Sequence, residues 1–212
     1  MIDVALDRSF KERLTAIRSI EPDTLVSEQD QAGLSITDAG VSSVFEYQGI
    51  TYLVREICPY EEYDEAFKKA QGYVVYELTC LALESGKTVF FEWEVDDELE
   101  VSMTLDRLSF RDLTDDEGQA VDEDDLDQIA HDKDAVKAGG QTYYYDDDWA
   151  AVYERSGRKE QVFLYEFETQ DQTRFLTIEQ WQGSGRDAGR IYTSMPVNPD
   201  AIRLVSRGGN SG

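Results

Sequence analysis

Residues 73–94 read YVVYELTCLALESGKTVFFEWE, and their alternation of apolar and polar side chains predicts a β-hairpin. A period of two places alternate side chains on the same face of a strand. Ser85 and Gly86 are residue types typical of the tight turn between two strands. The apolar faces of the two strands can pack into one core. The side chains that we predict to be buried on this face are Tyr76, Leu78, Phe91 and Trp93.

Residues 162–179, VFLYEFETQDQTRFLTIE, repeat this pattern in altered form. When the two stretches are aligned, apolar positions meet apolar positions, and the spacing changes only where turns shorten. The matched positions include Gly49 with Gly140, Tyr76 with Tyr165, Glu77 with Glu166, Phe91 with Leu176, Trp93 with Ile178 and Glu94 with Glu179. The second stretch is therefore predicted to bury Tyr165, Phe167, Leu176 and Ile178. A chance likeness between two β-rich segments is the alternative to a true repeat.

The repeat predicts a mainly β protein, α+β by content. Two related antiparallel β sheets or small barrels would pack as a pseudo-twofold pair, with an N-terminal helix and a helix in an acidic linker. The predicted division is an N-terminal helix and connector at 1–40, a first β repeat at 41–113, an acidic linker at 114–139, a second β repeat at 140–207 and a flexible tail at 208–212.

Two helices are predicted from apolar spacing at steps of three and four. The N-terminal helix ends before Pro22, and its apolar face carries Ile2, Leu6, Phe10, Leu14 and Ile17. The helix of the acidic linker has a weaker face, made of Leu126, Ile129 and Ala130.

Three further local predictions follow from the sequence. The segment 41–57 reads as two strands around Gln48 and Gly49, a pair compatible with a hairpin turn. After Pro59, the residues Tyr60, Tyr63 and Phe67 fit one face of a short helix, although a strand and loop fit nearly as well. Residues 183–189, GSGRDAG, are predicted to form a flexible hairpin loop.

The chain of 212 residues has 45 acidic and 20 basic residues, which gives a formal net charge of -25. A charge of this sign disfavours approach to nucleic acid phosphates and favours a basic protein partner. Adaptation to high salt, or solubility alone, would account for the same acidity. Cys58 and Cys80 lack CxxC spacing, which predicts reduced, buried thiols. The oligomeric state is left open.

We expect a cytoplasmic protein without direct membrane insertion. No apolar run approaches the roughly 20 residues that span a bilayer. The N-terminal residues carry charges too early and too often for a signal peptide.

Paired carboxylates are the candidates for chemistry. Glu77 with Glu94, and Glu166 with Glu179, can face each other across neighbouring strands, a geometry that glycosidases and metal-dependent enzymes use. In a chain this acidic, solvated residues on the outer strand faces are the alternative interpretation. The single histidine, His131, provides neither a Ser-His-Asp triad nor a zinc site. We therefore assign no catalytic residue, no metal and no cofactor.

An exposed aromatic and acidic patch is predicted around residues 143–148, YYYDDD, together with Trp149. Such a patch suits a cationic protein surface. Ordinary core and turn residues would give the same pattern, and this alternative stays open.

Several motifs resemble the bacterial domain-of-unknown-function family DUF4178. They are YELT and YEFE, the strand ends FFEWE and LTIEQW, and the terminal GRIYTSMPV. The resemblance covers approximately residues 45–205, and the acidic segment 114–138 departs from the family pattern. It provides no catalytic residues, and it implies an accessory or scaffold role near membrane-stress proteins.

The sequence thus predicts a non-enzymatic protein-interaction or scaffold module, with a role as an accessory to a bacterial membrane-stress system as the expectation from the resemblance. The alternative is a carboxylate-based hydrolase or small-ligand-binding domain with a site between the two repeats.

Overall fold

The computed structural model describes residues 4–20, 22–182 and 190–208. Strands make up most of the regular structure in the described residues, so the protein is mainly β as predicted. The helices are α1 Val4–Arg18, α2 Glu28–Gln31 and α3 Leu126–Asp132. The strands are β1 Val44–Tyr47, β2 Ile50–Tyr63, β3 Ala70–Ala82, β4 Thr88–Val95, β5 Leu99–Leu108, β6 Leu113–Thr114, β7 Ala135–Ala138, β8 Gln141–Arg155, β9 Arg158–Glu168, β10 Phe175–Trp181, β11 Arg190–Pro196 and β12 Arg203–Ser206.

The chain forms two compact units. The first unit comprises Met1–Ile57, Tyr76–Val101 and Val197–Gly212, and the second comprises Cys58–Val75 and Ser102–Pro196. The strands β2, β3 and β5 therefore contribute residues to both units. Strand pairing is antiparallel, as predicted. The pseudo-twofold arrangement of two related sheets stays a prediction.

Hydrogen-bonded neighbours in the first unit follow the order β12, β1, β2, β3, β4 and the beginning of β5. Between β1 and β2, Gln48 has φ 50° and Gly49 has φ 76°. Two successive positive φ angles are characteristic of the two-residue hairpin turn that matches strand twist. The predicted pair of strands around Gln48 and Gly49 is confirmed.

The hairpin β3–β4 has the predicted turn, and Leu81 pairs with Thr88 next to it. Leu78 pairs with Phe91, and both side chains are fully buried. Phe91 makes edge contacts with the rings of Phe45, Tyr47 and Tyr52.

Tyr76 and Trp93 are only half-buried, so the prediction of full burial is wrong for this pair. The two residues are cross-strand partners, and their rings stack at a centroid distance of 4.3 Å. Each ring therefore covers one side of the other, which removes part of its apolar surface from water without enclosing it.

The helix α1 is present, but Phe10 and Ile17 of its predicted apolar face do not pack on the sheet; the side chains of Ile2 and Leu6 lie outside the described residues. Ala16 is buried against a cluster formed by Val44, Leu53, Leu81 and Leu83. Arg13 Nε donates to the backbone oxygen of Leu83 at 2.6 Å, which fixes the rotation of the helix. Phe10 and Ile17 are consequently 59% and 48% exposed. A small side chain facing the sheet lets the helix backbone approach closely, and this contact outweighs the longer apolar stripe.

Hydrogen-bonded neighbours in the second unit follow the order β5, β11, β10, β9, β8, β7 and β6. The end of β2 also pairs with β8, from Tyr60 opposite Tyr153 to Tyr63 opposite Ala150. The predicted helix after Pro59 is therefore wrong, and the strand and loop alternative is right. The pairing places the rings of Tyr60 and Tyr153 at 4.5 Å, so burial of these rings favours the strand over the helix.

Apolar clusters lie on both faces of the hairpin β9–β10. All four residues predicted to be buried there are buried, and they contact Leu126, Ile129 and Ala130 of α3. The predicted helix within the acidic segment is confirmed with its apolar face, while His131 is exposed as expected. The opposite face of β9 packs on Cys58, Tyr60, Ala151 and Tyr153. The four residues of β9–β10 that were predicted to be buried are Tyr165, Phe167, Leu176 and Ile178.

Within the described residues, no helix combines the length and the apolar character needed to cross a membrane. The predicted loop at 183–189 and most of the predicted tail lie outside the described residues.

Candidate functional site

Glu179 lies in the interior of the second unit and has 0% exposed surface. The pairing of β10 with β11 puts Arg190 directly opposite it, and the pairing of β10 with β9 puts Leu164 on its other side. Residues directly opposite each other in an antiparallel pair point to the same face. The carboxylate therefore enters the apolar cluster that contains Tyr60 and Leu164.

Three polar side chains meet at this carboxylate. Tyr60 donates its hydroxyl to Glu179 Oε1 at 2.9 Å, and Arg190 Nε lies 3.2 Å from Glu179 Oε2. Arg190 also donates to the Tyr60 hydroxyl oxygen at 3.2 Å, and its guanidinium lies 5.6 Å from the ring of Tyr192. The charge of Glu179 is thus balanced by a cation and a hydrogen bond inside the core.

The cluster of Tyr60, Glu179 and Arg190 serves as an internal connection. It joins the end of β2 to the hairpin β10–β11 through side chains that are far apart in sequence. A carboxylate without exposed surface does not contact a substrate in this conformation. The interpretation of Glu179 as a solvated residue of the outer strand face is therefore wrong, because the register places it among apolar neighbours.

The other candidate glutamates differ in their environment. Glu77 is 1% exposed and lies opposite Glu92, so the solvated interpretation is wrong for Glu77 as well. Glu166 is half-buried and lies opposite Thr177, two pairs away from the level of Glu179.

The surroundings of Glu94 alter its ionisation. Its side chain is half-buried, and burial raises its pKa to about 7, with further contributions from the negative charges of Glu100 and Asp96. Burial penalises the charged carboxylate, and neighbouring like charges add to that penalty. Glu94 therefore exchanges a proton near neutral pH, unlike an ordinary surface glutamate.

An acidic and aromatic surface lies on β8, within the second unit. We call it the β8 surface, and its residues are Tyr144, Tyr145, Asp146, Asp147, Asp148 and Glu168. Tyr144 is 49% exposed, and the three aspartates are exposed. Two residues predicted for this patch are not part of the β8 surface. Tyr143 is buried, and the ring of Trp149 packs against the ring of Tyr73 with a centroid distance of 5.7 Å.

The strand pairing of β8 leaves this surface accessible. Residues 141–144 pair with β7 and residues 150–153 pair with β2, so the stretch 145–149 falls between these two partners. On the β9 side the register shifts between Tyr145 and Asp147, which identifies Asp146 as the extra residue of a β-bulge. Bulges are common where a strand changes partners, and they redirect the side chains around them.

Negative charge is concentrated at this bulge. Burial raises the pKa of Asp146, and the nearby carboxylates of Glu168 and Asp147 raise it further. Tyr145 donates its hydroxyl to Asp148, and Lys133 Nζ lies 5.8 Å from the centre of the Tyr145 ring. Close by is a depression of about 380 Å³ lined by Tyr144, Tyr145, Glu168, Thr169 and Gln170. The surface combines carboxylates, an exposed ring and a recess.

Over the described part of the chain, no three His, Cys, Asp or Glu side chains are arranged to hold a metal ion. Cys58 and Cys80 are buried thiols, and burial raises the pKa of the Cys80 thiol. A buried thiol that resists ionisation is a poor nucleophile and a poor metal ligand.

Sequence reasoning missed Tyr60, Arg190 and Glu168. A signal for Arg190 exists, because the hairpin loop predicted at 183–189 implies that Arg190 begins a strand beside Glu179, and the two residues are paired. Tyr60 depends on the pairing of β2 with β8, for which the sequence provides no local signal. Glu168 joins the β8 surface only through the register of β8 and β9.

The fold and these surfaces define a mainly β, strongly acidic protein. The model of a family described as a domain of unknown function, DUF4178, matches residues 40–199. The chain belongs to this family, as its motifs predicted. No curated protein and no solved structure is similar enough to the chain to count as a match.

Proposed function

We propose that this chain is a non-enzymatic protein-interaction module whose β8 surface binds a basic segment of a partner protein. The observation that carries the proposal is the exposed ring of Tyr144 beside the crowded carboxylates of Asp146, Asp147 and Glu168. A place in a membrane-stress system stays a prediction from the family resemblance.

Electrostatics supports a cationic partner. The raised pKa of Asp146 reports that its charge is disfavoured by burial and by neighbouring charges of the same sign. A Lys or Arg side chain placed between these carboxylates would relieve that repulsion. The net charge of -25 would also steer a basic segment towards the protein.

The exposed aromatic ring supports contact with an amphipathic segment. A cation over a tyrosine ring contributes about 0.5–1 kcal/mol at exposed sites, and Lys133 already lies over Tyr145 in this way. The recess beside Tyr144 offers room for an apolar side chain of the partner, next to the partner's basic side chains. A segment with both basic and apolar residues therefore fits better than a purely charged one.

We also propose that the two hairpins descend from one duplicated β unit. Tyr76 opposite Trp93 and Leu78 opposite Phe91 correspond, in the aligned sequence, to Tyr165 opposite Ile178 and Phe167 opposite Leu176. Equivalent registers on matched positions support a duplication.

A carboxylate-based hydrolase or ligand-binding domain is the second candidate function. It is favoured by Glu94, because a pKa of about 7 suits a general acid or base. Glu179 gives it less support, since its carboxylate is buried against Arg190. Substrate turnover that Glu94→Gln abolishes would favour this candidate over the interaction module.

Binding of a synthetic helical peptide of lysine and leucine tests the interaction module. We expect the double variant Tyr144→Ser with Asp146→Lys to bind it at least roughly tenfold more weakly than the wild-type chain. Isothermal titration at moderate salt measures the difference, and a peptide with glutamate in place of lysine should not bind.

The matched control is Asp97→Lys, which makes the same change of charge at an exposed acid in the turn after β4. If this control weakens binding as much as the β8 double variant does, attraction follows total charge alone and the β8 surface is not the site.

A further inference from the structure

The helix α1 presents a second exposed surface. Phe10 and Ile17 are 59% and 48% exposed, and Leu14, half-buried, lies between them at helical spacing. We call these three residues the α1 stripe. The stripe is exposed because Ala16 and Arg13 make the contacts with the sheet of the first unit. Large apolar side chains grouped on a surface mark a site of contact with another molecule.

The charge of α1 is opposite to that of the whole chain. The chain carries a net charge of -25, whereas α1 has more basic than acidic residues. Lys11 and Arg18 are exposed next to the stripe. The basic residues of the helix are Arg8, Lys11, Arg13 and Arg18, against Asp7 and Glu12.

We infer that the basic segment bound by the β8 surface is the helix α1 of a second copy of this chain. This inference rests on the proposed function of the β8 surface. The α1 stripe supplies an apolar side chain for the recess beside Tyr144, and Lys11 and Arg18 supply cations for the surrounding carboxylates. Both halves of the required chemistry are therefore present on one protein.

A second copy fits the α1 stripe better than a lipid surface does. Amphipathic helices that bind membranes carry a strongly basic polar face, whereas Asp7 and Glu12 dilute the basic residues of α1. Between two copies the overall repulsion is limited, because the Debye length is about 8 Å at physiological ionic strength. Short-range attraction between α1 and the β8 surface acts within that distance.

The contact joins two different surfaces, and we take it as head-to-tail, with each copy bound to two different neighbours; a wild type that stops at a dimer overturns this arrangement. Each copy offers one α1 stripe and one β8 surface, and binding leaves one of each free at the two ends. Heterologous contacts of this kind extend into open chains unless the rotation closes a ring. The expected behaviour is growth of the average mass with protein concentration, without a limit at the dimer.

Two complementary variants of the full chain test the inference. The first changes the α1 stripe, Phe10→Asp with Ile17→Asp, and the second changes the β8 surface, Asp146→Lys with Asp147→Lys. All four residues are exposed, so both variants should fold, which circular dichroism checks. Sedimentation velocity at moderate salt should show growing assemblies for the wild type and monomers for each variant alone.

An equimolar mixture of the two variants should form a one-to-one dimer and nothing larger. The first variant keeps an intact β8 surface and the second keeps an intact α1, so only one contact can form. A mixture that stays monomeric while the wild type assembles overturns the head-to-tail contact. The same conclusion follows if the β8 variant alone still assembles, because α1 would then pair with another surface.

A wild-type chain that stays monomeric up to roughly 1 mM, the range of weak contacts, overturns self-association. If that chain still binds the lysine and leucine peptide through the β8 surface, the proposed function stands and its partner is another protein. Sedimentation with anionic vesicles that requires Phe10 and Ile17 would assign the α1 stripe to lipid and also overturn the inference.

Discussion

The hairpins β3–β4 and β9–β10 share a pairing pattern but differ in how deeply they are buried. In β9–β10 the pairs Tyr165 with Ile178 and Phe167 with Leu176 are buried, and α3 covers them. In β3–β4 the pair Leu78 and Phe91 is buried, whereas Tyr76 and Trp93 stack on each other and stay half-exposed. The alternation of a strand therefore determines which face is apolar, and a covering element determines how much of that face leaves water.

The matched glutamates of the two hairpins show the same difference in electrostatic terms. Glu179 lies beside Arg190 and Tyr60 in the core, whereas Glu94 lies near the carboxylates of Glu100 and Asp96. The charge of Glu179 is compensated by Arg190, whereas the charge of Glu94 is opposed by neighbouring charges of the same sign. Removal of the two carboxylates should therefore have opposite effects on stability.

The largest effect is expected for Glu179→Ala. It leaves the Arg190 charge in the core without its carboxylate, and breaking such a buried pair costs about 3–5 kcal/mol. Urea denaturation followed by tryptophan fluorescence measures the free energy of unfolding. Tyr60→Phe is the milder control, because it removes one hydroxyl at a cost of about 1 kcal/mol. Equal stability of Glu179→Ala and the wild type would show that the pair does not support the fold.

A smaller loss is expected when the cover of the second hairpin is weakened. Leu126 of α3 is 1% exposed, and truncation of a buried leucine to alanine costs about 3 kcal/mol. Leu126→Ala should lower the urea midpoint accordingly. Val95→Ala at the end of β4 is the matched control, since Val95 is 56% exposed and should change stability by less than about 0.5 kcal/mol. Similar shifts for both variants would contradict a covering role for α3.

The smallest effect is expected for Glu94→Gln, and it should be stabilising and dependent on pH. Burial raises the pKa of Glu94 from 4.5 to about 7, so the folded state holds this proton more tightly than the unfolded state. Stability is fully present below pH 4.5 and declines as pH rises towards 7. Since the side chain is partly exposed, solvent screening reduces the gain of the variant at alkaline pH to about 1 kcal/mol.

Thermal unfolding of the Glu94 variant and the wild type at acidic and alkaline pH measures this difference. The two proteins should unfold alike below pH 4.5 and differ above pH 7, the values that bound the shift. Glu98→Gln is the control, because Glu98 is exposed in the neighbouring turn. A stability difference that does not change with pH would contradict the altered ionisation of Glu94.

Local signals in the sequence predicted the strands, several turns and the short helix. Gln48 and Gly49 form their turn because positive φ angles are accessible to them, and α3 forms where Leu126, Ile129 and Ala130 share a face. These predictions depend on neighbours within a few residues, and they were therefore reliable.

Long-range pairing could not be predicted in the same way. The strand at Tyr60 forms because β8, far along the chain, lies beside it, and the rotation of α1 follows from the contact of Arg13 with Leu83. The cluster at Glu179 requires both the β10–β11 register and the position of Tyr60. Of the candidate sites, the sequence located the acidic residues of β8 but not the bulge and recess that make them a surface.

The pairing of β1 with β12 has a consequence for synthesis of the protein. Phe45 lies opposite Leu204, so the first unit gains β12 only after the chain up to residue 206 has left the ribosome. Until then β1 presents an unpaired edge, and such edges template aggregation. Loss of the residues after 200 by proteolysis would expose the same edge in the finished protein. Cells that produce this protein should therefore show a stronger chaperone requirement for truncated chains than for the intact one.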